Sequence, residues 1–484
     1  LAHRPIIQAS LAIGFGLLVS GLPAQDTPTR PNVLFIAIDD LRAELGCYGA
    51  SHVISPNLDR LAQRGVLFER AYCALPVCGP SRASILTGLR PDTIGIHDLY
   101  THHRDRIPDI VTLPQLFKNN GYIAQGIGKI FHNSHQPDWR GDEASWSVPA
   151  QISYGGHDSD KPVVKGAVPP NLSDVPRTEM RDVPDDAYFE GRVANLAIEA
   201  LDQLKGEPFF LAVGFWKPHL PFNAPKRYWD MYDTSTLPPV QMPDRPEGAP
   251  EMAFHPSVEL MREFQGDLTP EQVTTLRHGY YAATTYMDSQ LGRVIDHLDE
   301  LGLADNTIIV VWSDHGYHLG EHGMWTKLSA FEADLRVPFI IADPRTTTAG
   351  SRAAGPVELL DIYPTLADLC GLPPPHKLDG VSLRPMLNDP TVHARSFAYS
   401  QSTHPKRVMP KGTVVQAMGY TMRSLQYRYT EWRSTSTGEV LHRELYDYSG
   451  GWFEERNIAH DPQNAALVAS MSESMKEAFP LPKQ

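Results

Sequence analysis

Cys78-Gly79-Pro80-Ser81-Arg82, continuing Ala83-Ser84-Ile85-Leu86-Thr87-Gly88, joins a thiol, an early proline and an arginine in one short run. The spacing predicts a helix beginning at Cys78, because proline is tolerated in the first helical turn, where its missing donor is not needed. A helix N-terminus carries partial positive charge and unpaired N–H groups. With Arg82 one turn further on, this is where a reactive group handling an anion would stand. Other residues suit the same chemistry. Asp39, Asp40 and Asp314 are carboxylates of the kind that hold a hard divalent cation. Lys129 and Lys327 suit anionic oxygens, and His132, His219 and His315 suit proton transfer or ligation. Each has a plainer account when taken alone. Asp39-Asp40 reads as N-caps or a solvated turn, either lysine as a solvated side chain, His132 and His219 as loop or core histidines, and Arg82 as the partner of an acid on its helix. Cys73 and Cys78 could pair as a disulfide, although Pro80-Ser81-Arg82 has no role in one.

Their places along the chain favour the joint reading. Val33 to Ile38 is a short, β-branched apolar run that stops at Asp39-Asp40, and Thr307 to Trp312 stops at Ser313-Asp314-His315-Gly316. Phe209 to Gly214 leads to Trp216-Lys217-Pro218-His219, and Ile123 to Gly128 leads to Lys129 with His132 just beyond. Runs that are apolar throughout suit strands buried on both faces of a largely parallel sheet. Helical patterns over Leu58–Arg64, Thr112–Asn120, Gly191–Lys205 and Gln272–Leu301 lie between them. Strand–helix alternation of this kind defines an α/β fold. Ligands bind beyond the carboxyl ends of the strands in such sheets, so the acids, Lys129 and the histidines at these strand ends are expected on one edge. From about residue 395 the pattern changes to short alternating segments, Tyr420–Tyr429 and Glu439–Tyr446, then a helix over Ala465–Phe479. This predicts a small antiparallel subdomain.

The 484 residues carry a formal charge of −14, which argues against nucleic acid as a partner. His3 and Arg4, the apolar stretch Leu11–Val19 and small residues through Ala24 have the order of a secretory leader over 1–25. That stretch is too short and glycine-rich to span a bilayer comfortably, and export without stable membrane insertion is expected. Four cysteines are too few for a disulfide scaffold.

The cysteine run also matches the C-x-P-S-R-A-S-x-L-T-G element of the type I, formylglycine-dependent sulfatases of the alkaline-phosphatase superfamily. Gly128-Lys129-Ile130-Phe131-His132, Lys217-Pro218-His219-Leu220-Pro221-Phe222, Ser313-Asp314-His315-Gly316, Leu319-Gly320-Glu321-His322-Gly323 and Trp325-Thr326-Lys327 resemble, in order, motifs of the iduronate-2-sulfatase group. The likeness extends through Met418–Arg423 to Glu444–Asp447. It implies a catalytic domain over 26–394, with a large mostly parallel mixed sheet flanked by helices, and a C-terminal subdomain over 395–484 that helps to close the substrate pocket. It implies that a formylglycine-generating enzyme converts Cys78 to formylglycine. Asp39, Asp40, Asp314, His315 and the modified Cys78 would then ligate one divalent metal. Calcium fits the carboxylates, His315 is a poor ligand for it, and magnesium stays open. Arg82 would hold the formylglycine, while Lys129, His132, His219 and Lys327 would bind sulfate or protonate the leaving oxygen. One hydroxyl of the hydrated aldehyde would attack sulfur and the second would expel the sulfate. The substrate implied is a sulfated sugar, a 2-O-sulfated uronic acid or a related polysaccharide fragment. Trp216 and Tyr317 depart from the animal iduronate enzymes beside the site, which puts the sugar in question. Tyr317 and Trp325 would stack on a sugar or pack internally, and His97, His102, His103, Arg104 and Arg106 would rim a pocket. Lys406 and Arg407 could reach an anionic sugar or be solvated. A phosphodiesterase or phosphonate monoester hydrolase of the same superfamily and a non-catalytic glycan-binding relative are the rival readings.

Overall fold

Four apolar runs form the parallel heart of one sheet: Thr307–Ser313, Asn32–Ile38, Phe209–Phe215 and Ile123–Gly128 lie side by side in that order. The structure, a computed structural model, describes residues 1, 30–132, 141–152, 177–261, 267–405 and 414–480. Apart from residue 1, the expected leader lies outside these residues, as do Lys406 and Arg407. Along Asn32–Ile38, Val33, Phe35 and Ala37 enter the core on one face, and Leu34, Ile36 and Ile38 enter the core on the other. Both faces are dry, so no polar alternation appears in the sequence.

Phe339–Ala342 continues the sheet antiparallel to Thr307–Ser313 and to Val66–Tyr72. Arg336–Val337 and Arg352–Glu358 both pair with Val66–Tyr72, antiparallel and parallel respectively. The result is a mixed, mainly parallel sheet of eight strands. Helices Pro56–Arg64, Phe189–Leu204 and Pro270–Glu300 cover one face, and Cys78–Thr87, Leu113–Asn119 and Ile362–Leu369 the other. Observed helix bounds fall within a few residues of those read from the sequence. The long helix opens on a capping box in which Thr269 accepts from Gln272 N–H and the Gln272 side chain accepts from Thr269 N–H, with Pro270 in its first turn.

The C-terminal region holds a four-stranded antiparallel sheet: Ala398–His404, Ala417–Arg423, Tyr427–Ser434 and Val440–Asp447. The alternation expected to run unbroken over Tyr420–Tyr429 is two strands, separated where Ser424 N–H donates to Tyr427 O at 2.9 Å. Ser424-Leu425-Gln426 has no glycine or proline to mark that turn. Helix Ala465–Ala478 covers this sheet through Met471 and Met475 against Met422, Tyr429 and Leu445. Ala398–His404, which the sequence pattern did not single out, joins the two sheets: Ser400 Oγ donates to Cys73 O at 2.6 Å, Gln401 N–H to Ala74 O at 2.7 Å, and Ser402 Oγ to Leu328 O at 2.9 Å. All four cysteines are free, so Cys73 and Cys78 do not pair. Among the described residues no helix is long and apolar enough to cross a membrane.

Candidate active site

Register brings the chemistry together. Ile38 is level with Phe215 on one side and Ser313 on the other, and Gly128 is level with Gly214. The four strands therefore release Asp39, Asp314, Lys129 and the Trp216–His219 loop at one edge. Gly128 (φ 74°) lets the chain turn there. A Cβ on Gly214 would lie 2.1 Å from Lys129 O, so only glycine allows this close approach.

Cys78 is the first residue of helix Cys78–Thr87, which is buried along nearly its whole length and points its start at the strand ends. Ser81 Oγ donates to Asp314 O at 2.5 Å. Arg82, fully buried, binds the strand ends to one another: Nε donates to Asp314 Oδ2 at 2.8 Å, one terminal nitrogen to Asp39 Oδ1 at 3.3 Å, and the other to Lys129 O and to Ile130 O. Its hydrogen bonds thus go to the metal-type carboxylates and to the backbone around Lys129.

Asp39, Asp40 and Asp314 are wholly buried. Lys129 Nζ donates to Asp39 Oδ2, and Lys327 Nζ to Asp40 Oδ1 and Oδ2 at 3.1 and 2.9 Å. Burial works to raise Asp39, but Lys129, His219 and Arg82 hold it well below the usual carboxylate range. Asp40 is pushed well above that range by burial and by Asp39, Glu259 and Asp314, against Lys327. It also has φ 62°, a left-handed conformation uncommon outside glycine. An excess of buried negative charge of this kind is relieved by a divalent cation bound through oxygen.

His315 presents a suitable nitrogen. Its Nδ1–H donates to Gly316 O at 2.9 Å, which leaves the Nε2 lone pair toward Cys78 Sγ at 3.2 Å and Asp40 Oδ1 at 3.4 Å. One ligand atom each from Asp39, Cys78, Asp314 and His315 lies within 4.8 Å of the others, and Asp39, Asp40, Cys78 and His219 form an overlapping group. The buried carboxylates fit a divalent cation, with the His315 nitrogen as a softer donor beside them. Burial, and then Asp39, push the Cys78 thiol well above its ordinary range, so the unmodified side chain is a poor nucleophile here.

His219 donates through Nδ1–H to Leu220 O at 2.7 Å, leaving Nε2 to meet Lys327 Nζ at 3.0 Å and Glu259 Oε1 at 3.1 Å. Burial and the Lys327 charge lower His219 to about 4. Its loop is held by Glu190, which accepts from Trp216 and Lys217 N–H at 3.0 Å each, and by Lys217 Nζ, which donates to His219 O and Pro221 O. Glu190 and Glu259 escaped the sequence reading, and Lys217 was named there only as part of a motif, without a role. Glu259, on the short helix Val258–Met261, follows no strand and belongs to no recognised motif, so nothing in the sequence marked it.

The remaining candidates fall elsewhere. His132 is buried in a small cavity lined also by Gly79, Leu99, Thr101, His102 and His103. Arg104 forks onto Asp142 and also binds Ile110 O and Gln115, a structural clamp. His97 pairs with Asp92 at 2.8 Å. Tyr317 and Trp325 are buried, with Tyr317 stacked on Tyr280, so packing is their observed role. Trp216 is buried beneath Lys129 Nζ, 5.1 Å from the ring centroid. Among the described residues two further clusters have metal-like composition, His102, His103 and Asp142, and His255, His318 and Asp334. Their carboxylates are engaged by protein donors, Asp142 by Arg104 and Ser145, and Asp334 by His318 and Ser329 N–H.

The fold and the buried carboxylate–lysine–histidine cluster define a hydrolase of the alkaline-phosphatase superfamily. The family described as Sulfatase matches residues 31–372, and a second, described as N-sulphoglucosamine sulphohydrolase, C-terminal, matches 320–479. The chain is 32% identical to iduronate 2-sulfatase of Homo sapiens, over 96% of each chain. It is 36% identical to a sulfatase of Formosa agariphila, over 71% of this chain and 70% of that one. Among solved structures, the phosphonate monoester hydrolase of Agrobacterium radiobacter superposes with a TM-score of 0.75 at 26% identity, covering 93% of this chain and 95% of that one. The chain belongs to the sulfatase family and is a sulfuric ester hydrolase.

Proposed function

We propose that the chain is an exported hydrolase of sulfate esters on sugars, with Cys78, converted to formylglycine by a formylglycine-generating enzyme, as the source of its nucleophile. The observation that carries this reading is the meeting of the Cys78 helix start with Asp39, Asp40, Asp314, Lys129, Lys327, His219 and His315 at one sheet edge. A metal, calcium by its carboxylates with magnesium the alternative, would be held by Asp39, Asp40, Asp314, His315 and residue 78, and would supply Lewis-acid polarisation and charge.

The chain's own groups do the rest. Lys129 and Lys327 offer ammonium groups to sulfate oxygens, where stabilisation of developing charge is the largest contribution. Arg82 fixes Asp39, Asp314 and the Lys129 backbone, and so holds the frame in which residue 78 acts. Lys327 Nζ–H donates to His219 Nε2 at 3.0 Å, and we assign the proton taken by the leaving oxygen to this pair. The Nδ1–H hydrogen bond to Leu220 O orients the His219 ring so that Nε2 faces Lys327. His132 lines a small cavity together with Gly79, the residue after Cys78, which supports a role in binding.

The stretch Leu11–Val19 supports export. The start of the antiparallel sheet at Ala398 supports a boundary between catalytic and C-terminal parts near residue 395. The likeness to phosphonate monoester hydrolases favours one rival, hydrolysis of phosphorus esters. Turnover of 4-nitrophenyl sulfate, 4-nitrophenyl phosphate and a phenylphosphonate monoester decides between them, using protein whose residue 78 has been checked by mass spectrometry. The sulfate ester is expected to be preferred, and a strong preference for either phosphorus ester would overturn the proposal.

A further inference from the structure

We propose that Glu259 selects the charge of the leaving group, so that this site takes sulfate esters of sugars whose ring is neutral or carries an ammonium group and discriminates against sulfated uronates. The inference rests on the sulfate-ester reading above and departs from the uronic acid that the sequence resemblance implies.

Glu259 Oε2 lies 2.8 Å from Lys327 Nζ and Oε1 lies 3.1 Å from His219 Nε2. These are the two groups assigned to the leaving oxygen. The Glu259 side chain is 21% exposed, against 3% for His219, 5% for Lys327 and 0% for Asp40. Glu259 therefore stands between the buried cluster and solvent. Of these groups Glu259 is the one that reaches solvent, so a ring brought to Lys327 and His219 from the solvent side meets this carboxylate.

Glu259 is ionised there: burial works to raise its pKa, but the Lys327 ammonium 2.8 Å away holds it well below the usual range. Ring hydroxyls or an ammonium group would donate to it in charge-assisted hydrogen bonds. A uronate carboxylate would meet a like charge at close range. It would also have to draw Lys327 away from Asp40 and Glu259, both of which that lysine already contacts.

The test compares a methyl uronoside 2-O-sulfate with the same sugar reduced to the neutral hexoside 2-O-sulfate, and includes 4-nitrophenyl sulfate. Wild type, Glu259→Gln and Glu259→Ala are assayed, each checked for conversion of Cys78 and for an unchanged melting curve. The wild type is expected to favour the neutral sugar at least tenfold in kcat/KM. Both variants are expected to cut that ratio at least tenfold, chiefly through a lower KM for the uronate. A wild-type preference for the uronate overturns the inference, as does an equal rise for both sugars, which would make Glu259 a mere plug. A common loss of kcat in the variants also overturns it, since Glu259 would then serve the proton pair. Failure of the converted wild type on 4-nitrophenyl sulfate as well would defeat the sulfate-ester reading itself, and this inference with it.

Discussion

Cys78 and Arg82 share one helical turn but do different work. Cys78 is buried and its thiol faces His315 Nε2 at 3.2 Å inside the site, so Cys78→Ala should cut turnover by at least about 10³-fold while leaving the melting curve close to wild type. Turnover and calorimetry on the same sample check this. Arg82 is the reverse case. Its guanidinium satisfies two buried carboxylates and two backbone carbonyls, a planar pattern that lysine cannot reproduce. Arg82→Lys should therefore lose stability as well as activity. Breaking a buried ion pair costs about 3–5 kcal/mol, read as a shift in the urea midpoint, with lysine recovering part of it relative to Arg82→Met. The excess negative charge around Asp40 makes a third prediction at this scale. Dialysis against a chelator should lower both activity and melting temperature, and calcium should restore them better than magnesium; no loss on chelation would remove the metal from the site.

At the scale of elements, the convergence of strand ends depends on the close approach of Gly128, Lys129 and Gly214. Lys129 N–H donates to Gly214 O at 3.0 Å, and a Cβ on Gly214 would collide with Lys129 O. Gly214→Ala must push the Lys129 backbone outward and carry its ammonium away from Asp39. A displacement near 1 Å costs about 10²-fold in rate, so kcat/KM should fall by that order with a smaller loss of stability; unchanged activity would show that Lys129 is not held by this contact. The same strands explain what the sequence made legible. Thr307–Ser313 and Asn32–Ile38 could be read because they are buried on both faces and end abruptly in charged residues. The turn at Ser424–Gln426 could not, because strand alternation runs through it without a breaker. Arg82 was legible as a site residue, but its partners on three strands were not, since register is set by packing of the whole sheet. Glu259 was invisible for a related reason: it reaches Lys327 and His219 only through the path of a long connection, and no local pattern encodes that path.

For the whole molecule, the seam between the main sheet and the C-terminal sheet contains buried charge. Arg428 from strand Tyr427–Ser434 donates to Glu454 Oε1 at 2.6 Å, and Arg423 donates to Glu332 Oε2 at 3.2 Å. His322, from the Leu319–Gly323 motif, lies in the same seam with its ring 4.5 Å from Phe331 and 5.7 Å from His318. The charged groups acting on it are Glu454 and Glu321, which favour its protonation, and His318 and Arg428, which oppose it. Burial is the largest influence, and His322 is lowered to about 4. As pH falls from about 6.5 toward about 4, the unfolded chain takes up this proton while the folded chain does not. Stability is therefore full above about 6.5, declines across that window and levels off below it, by roughly 3 kcal/mol for this one group. Urea midpoints between pH 7.5 and 4 should show the decline, and His322→Gln, which has no such proton to refuse, should flatten it relative to wild type. Parallel curves for the two proteins would mean that the seam tolerates the charged imidazole, and that the acid sensitivity of the fold lies with other groups.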